Sequence, residues 1–293
     1  PGDEAGGGCP MTHQHGSVRG WGYCGIYIGS TVHHIDATRA QLEGIMAQHT
    51  RPVIWVSGGK DSLTLLHLLQ PWPARVTILH NALDGGFPGV EENLAHCVEA
   101  WGFGPARVVQ PMLTLDAYVA QYGWPVEVVP TSMDGVNPTP FYDGGVKVSS
   151  WWHCTETRQL LPILLGSYAL QADAVLTGCR ASDAPLFARM TAVNDYRDLI
   201  GWVRYDPLKA WSTAEIWAYV EAHQIPLPPH YAEKRHTTYE WPDCLACTWQ
   251  PEHLRWLKTH HPDVSTDVWA KAGPTLHAVK QALQAYTARL EET

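Results

Sequence analysis

The residues with the clearest chemistry are six in a row, residues 57–62, with the sequence Ser-Gly-Gly-Lys-Asp-Ser. Two glycines let the backbone turn tightly and bring its N–H groups close to anionic oxygens. The two serines add hydroxyl groups, the lysine adds a positive charge, and the aspartate is a candidate magnesium ligand or helix cap. The segment lacks the GxxxxGK(S/T) spacing of a Walker A loop. It therefore predicts another kind of phosphate-binding loop, whose candidate binding residues are Ser57, Gly58, Gly59, Lys60, Asp61 and Ser62.

The neighbours of this loop are the elements that such chemistry needs. Residues 52–56 form a short, continuous apolar run, which is typical of a strand buried on both faces. Residues 61–70 show the leucine spacing of a helix, which Pro71 ends. A helix that begins at the loop directs the positive end of its dipole at the same place.

Strands and helices continue to alternate beyond this unit. Further strands are predicted at residues 75–80, 106–110, 173–177 and 201–204, and helices at residues 35–49, 90–101, 115–122, 151–170 and 212–223. Pro162 is expected to break or kink the helix at residues 151–170. Ser212 with Glu215 predicts a capping box at the start of the helix at residues 212–223. This alternation implies right-handed crossovers and a parallel sheet. We therefore predict an α/β fold: a Rossmann-like, twisted parallel sheet with helices on both faces, plus a mainly helical C-terminal subdomain.

The chain is predicted to have three regions. They are a flexible or extended N-terminal segment (1–34), a nucleotide-binding α/β domain (35–205) and a helical C-terminal subdomain with a CxxC sequence (206–293). Residues 125–148 are rich in proline and glycine and are predicted to be a long loop, which in compact domains is often functional. Ligands of parallel sheets bind beyond the carboxyl ends of the strands. Because Gly178 follows a predicted strand, it is a second candidate for ligand binding.

The loop and three other segments carry a family resemblance. SGGKDS is the signature of N-type ATP pyrophosphatases, the adenine nucleotide α-hydrolase-like or PP-loop group. Residues 177–189, with Thr-Gly-Cys-Arg before Ser182-Asp183 and Arg189, resemble the TGxRxxE…R segment of one branch, which includes PAPS reductase, the ATP sulfurylase small subunit and DNA phosphorothioation proteins. Residues 205–220 resemble its PLxxW(S/T)xx(D/E)(I/V)WxYI segment. Phe87-Pro88 falls where the branch has FPE, with Gly89 replacing the acidic residue; the resemblance covers about residues 50–250.

This resemblance implies an ATP or sulfonucleotide substrate and a set of catalytic residues, namely Lys60, Asp61, Arg180 and Arg189. Both arginines are implied to contact phosphate or sulfate, because the fork of a guanidinium matches an oxyanion with two parallel hydrogen bonds. Taken alone, each arginine has a structural ion pair as its alternative. The implied cofactor is ATP with Mg²⁺, bound by the loop, Gly178 and Arg180.

The cysteines form a second candidate site. Cys244 and Cys247 have the CxxC spacing of a metal site, and Cys154 lies far upstream. In iron–sulfur members of the branch, a Cys-Cys pair joins a CxxC to bind a 4Fe–4S cluster, and here His153 stands where the first cysteine of that pair would be. Three thiolates could hold a cluster with one open or histidine-ligated iron. The alternatives are a zinc site completed by His153 or His253, and reduced thiols without metal.

Composition narrows the classes of partner. A net charge of −9 with 20 Lys and Arg residues does not favour binding to duplex DNA. The chain has no apolar run of about 18 residues that would span a membrane, and its first 16 residues lack the layout of a signal peptide. Seven cysteines without a regular framework indicate a reducing compartment, so a cytoplasmic location is expected. The expected partners are an adenine nucleotide, a sulfur donor or acceptor, and other chains in a homo-oligomer or complex.

Three functions compete. In the first, the protein binds ATP through SGGKDS, releases pyrophosphate and leaves an adenylate that a sulfur nucleophile attacks, with an iron–sulfur cluster at the cysteines. In the second, it is a sulfonucleotide (PAPS or APS) reductase; such enzymes carry a C-terminal nucleophilic cysteine, whereas no cysteine follows Cys247. In the third, it is a nucleotide-binding subunit of an ATP sulfurylase-like complex. The intact loop favours the first, because adenylation needs a loop that binds the β- and γ-phosphates.

Overall fold

The computed structural model describes residues 28–126, 147–183, 191–232, 244–247 and 251–291. The strands are β1 Pro52–Trp55, β2 Thr77–Asn81, β3 Arg107–Val109, β4 Trp124–Val126, β5 Val148–Ser150, β6 Ala174–Leu176, β7 Val193–Asp195 and β8 Val203–Tyr205. The helices are α1 Ile28–Gln48, α2 Lys60–Leu68, α3 Val90–Ala100, α4 Leu115–Tyr122, α5 Trp151–Thr155, α6 Leu161–Ala169, α7 Arg197–Ile200, α8 Thr213–Ala222, α9 Pro251–His260 and α10 Pro262–Glu291. A π-helical turn, Glu156–Leu160, joins α5 to α6, and a 3₁₀ turn, Pro229–Ala232, follows α8.

Six strands form the central sheet, in the order β3-β2-β1-β6-β8-β7. Every neighbouring pair in it is parallel except β7 with β8. The chain winds outward from β1 through β2 to β3, then returns to the other side of β1 with β6. The carboxyl ends of β1 and β6 therefore flank a topological switch point, where open parallel sheets bind their ligands.

Helices cover both faces of this sheet, as predicted. Ile54 and Ile78 point to one face, and their core cluster draws on α1, α2, α3 and α8. The members from these four helices include Leu42, Leu66, Leu94 and Ile216. Val53, Leu79 and Val175 point to the other face and pack with Ile163 of α6. Because strand side chains alternate between faces, the continuous apolar runs of the sequence supply both cores, and the α/β fold class is confirmed.

Three features differ from the sequence predictions. The first helix begins at Ile28 instead of residue 35, so residues 28–34 of the segment predicted to be flexible or extended are helical. Residues 124–126 and 148–150, at the ends of the predicted long loop, pair as a small parallel sheet; residues 127–146 lie outside the described residues. The antiparallel edge strand β7 was not predicted, because three residues are too few for an alternating pattern.

The predicted break at Pro162 takes the form of the π-helical turn that precedes it. Proline has no N–H, so the carbonyl four residues earlier, that of Arg158, has no donor within an α-helix. Asn81 at the end of β2 supplies one: its Nδ2 donates to the Arg158 carbonyl oxygen at 2.9 Å. The wider turn and its partner on β2 thus fix the position of Arg158.

The C-terminal helices form a smaller core of their own. Leu257 of α9 and Val268 of α10 pack with Phe87 and Leu245. The division predicted after Tyr205 stays a prediction, although α8, which follows it, shares the main core with α2. No helix among the described residues has the length and apolar character that a membrane crossing requires.

Candidate functional site

The loop after β1 forms the glycine turn and the helix start that the sequence predicts. Gly58 has a φ of +85°, a conformation that favours glycine, and a Cβ there would lie 2.5 Å from Val90 Cγ1. Gly59 caps α2, which begins at Lys60. The Ser57 hydroxyl accepts from the Gly59 N–H at 3.3 Å, and the Ser62 hydroxyl donates to the Gly59 carbonyl at 3.0 Å. The two serines thus hold the shape of the turn in this structure.

Gly178 brings the end of β6 against the same turn. A Cβ at this position would lie 2.9 Å from Ser62 N and 3.0 Å from Asp61 C. Both contacts are with backbone atoms, which cannot rotate away as a flexible side chain would. Gly178, predicted to bind ligand, therefore also sets how closely the loop approaches β6.

Substitution of Gly178 by alanine is expected to lower the free energy of unfolding by about 1–3 kcal/mol, the usual cost of overpacking. Denaturation in urea measures it. Gly44→Ala in α1 is the matched control: its Cβ would meet nothing within 4 Å, so the helix should gain about 0.5–1 kcal/mol. Equal stability of Gly178→Ala and the wild type would show that α2 and β6 can move apart freely.

Four charged side chains form a network beside the loop. Lys60 Nζ lies 2.8 Å from Asp61 Oδ2, and Arg180 Nε lies 2.8 Å from Asp61 Oδ1. Arg180 Nη2 lies 2.8 Å from Asp183 Oδ1, and its Nη1 donates to Thr213 Oγ1 at 2.9 Å. The Arg180 side chain is fully buried, and Lys60 is 3% exposed. The two carboxylates, which are only partly buried, balance the two buried cations and offset the cost of removing those cations from water.

This network involves three of the residues for which the resemblance implies a role or ligand contact, Lys60, Asp61 and Arg180. The Arg180 guanidinium is directed at Asp61, Asp183 and Thr213 instead of an open oxyanion site, so in this structure it positions other groups. Both carboxylate oxygens of Asp61 lie against cations, which leaves it poorly suited to bind magnesium. The ion pairs of the alternative are thus present in this structure, and the contact of Arg180 with phosphate stays a prediction. Arg189 lies outside the described residues.

The predicted metal site is arranged differently. Within the part of the chain that the structure describes, no three His, Cys, Asp or Glu side chains come together in a way that could hold a metal ion. Instead, the positive charge of Arg158 lowers the pKa of both Cys154 and Cys244, against the larger effect of burial, and Arg158 forms an ion pair with Asp84. The Cys244 thiol donates to the Gly85 carbonyl at 3.4 Å. Among the described residues, Cys154, Cys244 and Cys247 therefore do not form an assembled metal site in this structure.

Burial raises the pKa of Cys154 to about 11, and the nearby Arg158 offsets part of that shift. The Cys154 side chain is therefore a neutral thiol near pH 7. Because only thiolates are alkylated rapidly, its reaction with iodoacetamide should quicken about tenfold per pH unit between pH 8 and 10. Mass spectrometry of digested protein follows this residue alone. A rate that levels off below pH 9 would contradict the raised pKa.

The structure also adds residues that the sequence analysis missed. The Tyr231 hydroxyl accepts a hydrogen bond from the Lys60 N–H at 3.1 Å. His80 Nδ1 donates to the Val56 carbonyl at 2.7 Å, immediately before the loop. Neither residue belongs to a pattern in the sequence, and both act through contacts between distant segments.

The fold and the loop together are typical of one class of protein. The central parallel strand ends in a glycine turn, the turn leads into the amino end of a helix, and the adjacent strand ends beside it. Nucleotide-binding α/β proteins have this geometry, because backbone N–H groups and the helix dipole attract phosphate.

Sequence comparison gives the family within this class. Residues 51–248, about two thirds of the chain, match the phosphoadenosine phosphosulfate reductase domain. The chain therefore belongs to the phosphoadenosine phosphosulfate reductase domain family, and the predicted resemblance is confirmed.

Individual relatives bear the names of two kinds of enzyme. Sulfate adenylyltransferase subunit 2 of Rhizobium tropici is 29% identical over 218 residues, which are 65% of this chain and 61% of that protein. Adenosine 5'-phosphosulfate reductase of Halalkalibacterium halodurans is 33% identical over 95 residues, 32% of this chain and 38% of that one. The chain thus spans about three fifths of the length of the adenylyltransferase relatives. Among solved structures, phosphoadenylyl-sulfate reductase from Candida auris, in a phosphate complex, matches with a TM-score of 0.48 and 14% identity over 75% of this chain and 98% of that one.

Proposed function

We propose that the chain is an ATP-using member of this family, which adenylates an acceptor for sulfur transfer and releases pyrophosphate. The observation that carries the proposal is the complete phosphate loop, residues 57–62, at the switch point between β1 and β6. Adenylyl transfer from ATP requires a site for the departing pyrophosphate, and this loop suits that group. The name of the sulfate adenylyltransferase relatives, which describes adenylyl transfer, supports the same reaction.

In the proposed step, an acceptor oxygen attacks the α-phosphorus of ATP. The bond from that phosphorus to the bridging oxygen breaks, and pyrophosphate leaves with the bonding electron pair. The N–H groups at the start of α2 would stabilise the developing charge together with the Lys60 ammonium group. Arg180 would hold Asp61, which in turn holds Lys60. Magnesium would arrive bound to ATP, since Mg²⁺ is commonly held through substrate phosphates.

The test compares two substrates. The protein is incubated with MgATP and sulfate as a trial acceptor, and pyrophosphate is measured by a coupled assay. A parallel reaction contains PAPS and a dithiol reductant, and sulfite is measured. Pyrophosphate formed from ATP without sulfite from PAPS supports the proposal. Sulfite formed from PAPS in the absence of ATP would replace it with the reductase alternative.

A second candidate is a nucleotide-binding subunit of a larger complex. The name of the sulfate adenylyltransferase relatives favours this candidate, because it describes the matching protein as a subunit. This candidate predicts that the isolated chain binds ATP but releases little pyrophosphate, and that activity returns when co-purified partner chains are added back. Full activity of the isolated chain would exclude it.

The proposal assigns no step to an iron–sulfur cluster. A cluster on Cys154, Cys244 and Cys247 stays a prediction from the sequence. Iron and sulfide content after anaerobic purification tests it, with Cys154→Ala as the comparison. Stoichiometric iron that is lost in this variant would establish the cluster and require the three cysteines to come together around it.

A further inference from the structure

We propose that Tyr231 is a further binding residue of the phosphate site, which donates a hydrogen bond from its phenol to an oxygen of the bound pyrophosphate group. This inference rests on the proposed function and extends it to a residue outside the motifs. The phenol oxygen accepts from the Lys60 N–H at 3.1 Å. Lys60 is the first residue of α2, so this N–H is one of those that no helix carbonyl can satisfy.

The tyrosine is held at this place by its surroundings. Its side chain is 7% exposed and belongs to the main core. Its ring packs edge-on against Trp217, with the ring centroids 5.9 Å apart. The position of a Cβ on Gly59 would lie 3.2 Å from the phenol oxygen. A side chain packed in this way stays at the loop when a ligand binds. The hydroxyl is therefore already in position to contact an oxyanion.

Gly89 explains how the tyrosine reaches the loop. It has a φ of +80°, and a Cβ on it would lie 2.8 Å from Pro229 Cδ. The proline ring thus occupies the space into which a longer residue at position 89 would project. Phe87 packs against His230, with the ring centroids 4.3 Å apart and the rings tilted by 31°. The turn that contains Gly89 therefore packs against the 3₁₀ turn Pro229–Ala232. This contact places Tyr231, which belongs to the 3₁₀ turn, beside the phosphate loop.

The chemistry of a phenol suits the position. A hydroxyl that accepts one hydrogen bond still carries a proton that it can donate. By accepting from the Lys60 N–H, the phenol becomes a stronger donor, because hydrogen bonds in a chain polarise one another. A bond from this hydroxyl to a phosphate oxygen would be charge-assisted and short. Tyr231 would thus extend the backbone donors of the loop by one side chain.

The test is Tyr231→Phe, which removes the hydroxyl and keeps the ring. Calorimetry measures the binding of pyrophosphate, ATP and adenosine. The variant should bind pyrophosphate and ATP about 10- to 100-fold more weakly, the range for losing a hydrogen bond to a charged group, and adenosine as the wild type does. Tyr219→Phe is the matched control. That tyrosine is also buried, and its hydroxyl lies 2.9 Å from His67 Nδ1 at the opposite end of α2, so its loss should leave pyrophosphate binding unchanged.

The outcomes separate the two proposals. If the wild type binds neither pyrophosphate nor ATP, the proposed function fails and this inference falls with it. If the wild type binds both and Tyr231→Phe binds them as tightly or more tightly, only the role of Tyr231 is overturned; tighter binding would mean that the hydroxyl occupies the place of a phosphate oxygen. Should the variant not fold, 3-fluorotyrosine introduced at position 231 gives a single ¹⁹F signal. That signal should shift with pyrophosphate and not with adenosine, and an unchanged signal with bound pyrophosphate would overturn the role.

Discussion

Substitution of Arg180 by methionine is expected to lower the free energy of unfolding by about 3–5 kcal/mol, the usual cost of removing one partner from a buried ion pair. The arginine is fully buried, and its loss leaves the carboxylates of Asp61 and Asp183 without their shared cation. Methionine retains much of the apolar side-chain volume, so the loss would be mainly electrostatic. Urea denaturation measures the change, and the slope of the unfolding curve shows whether two-state behaviour is kept.

Two further variants isolate the cause. Arg197→Met is the matched control, because that arginine pairs with Asp195 on the surface, where solvent screens the pair; its stability should match the wild type. Asp183→Asn, added to Arg180→Met, should recover part of the loss by removing a carboxylate that Arg180 neutralised, whereas Asp61 still has Lys60 as a partner. If Arg180→Met were no less stable than Arg197→Met, the buried network would not be what fastens the end of β6 to α2.

The centre of the fold could be predicted because its signals are local. The apolar run at residues 52–56, the two glycines and the leucines of α2 lie next to one another in the chain, and together they define a buried strand, a turn and a helix. The small strands carried no such signal. In β4 and β5 three residues pair with three, and the pairing joins segments on either side of a long connection. Strand β7 is polar and lies at the sheet edge, so burial imposes no alternation on it.

The candidate site also has a part that could be predicted from local sequence and a part that could not. The loop was predictable as a motif, whereas the partners that fill its surroundings come from far along the chain. Tyr231 reaches Lys60 across 171 residues, and nothing in the sequence around it differs from an ordinary proline-containing turn. The role of Arg180 depended on whether an aspartate or an oxyanion would face it, which only the packing of β6 against α2 decides. The cysteines were predicted from spacing, but spacing does not reveal that Arg158 lies beside two of them.

Substitution of Lys60 by methionine is expected to reduce kcat/KM for pyrophosphate release by about 10²- to 10³-fold, the usual effect of removing one group that stabilises transition-state charge. An ammonium group has three protons, so the ion pair with Asp61 is compatible with a further contact to a phosphate oxygen. Because negative charge grows on the pyrophosphate as it leaves, the loss should fall on kcat more than on KM. Steady-state kinetics with MgATP separates the two constants.

The control and the comparison with Arg180 make this prediction specific. Lys271→Met removes an exposed lysine that pairs with Asp267 and should leave the kinetics unchanged. In Lys60→Met, Asp61 still has Arg180 as a partner, so this variant should lose much activity and less stability than Arg180→Met. A value of kcat/KM within about threefold of the wild type would contradict a role for Lys60 in stabilising the leaving group. Equal losses of stability in the two variants, with no kinetic difference between them, would mean that the charged network only fastens the loop, and that the backbone N–H groups alone receive the polyphosphate.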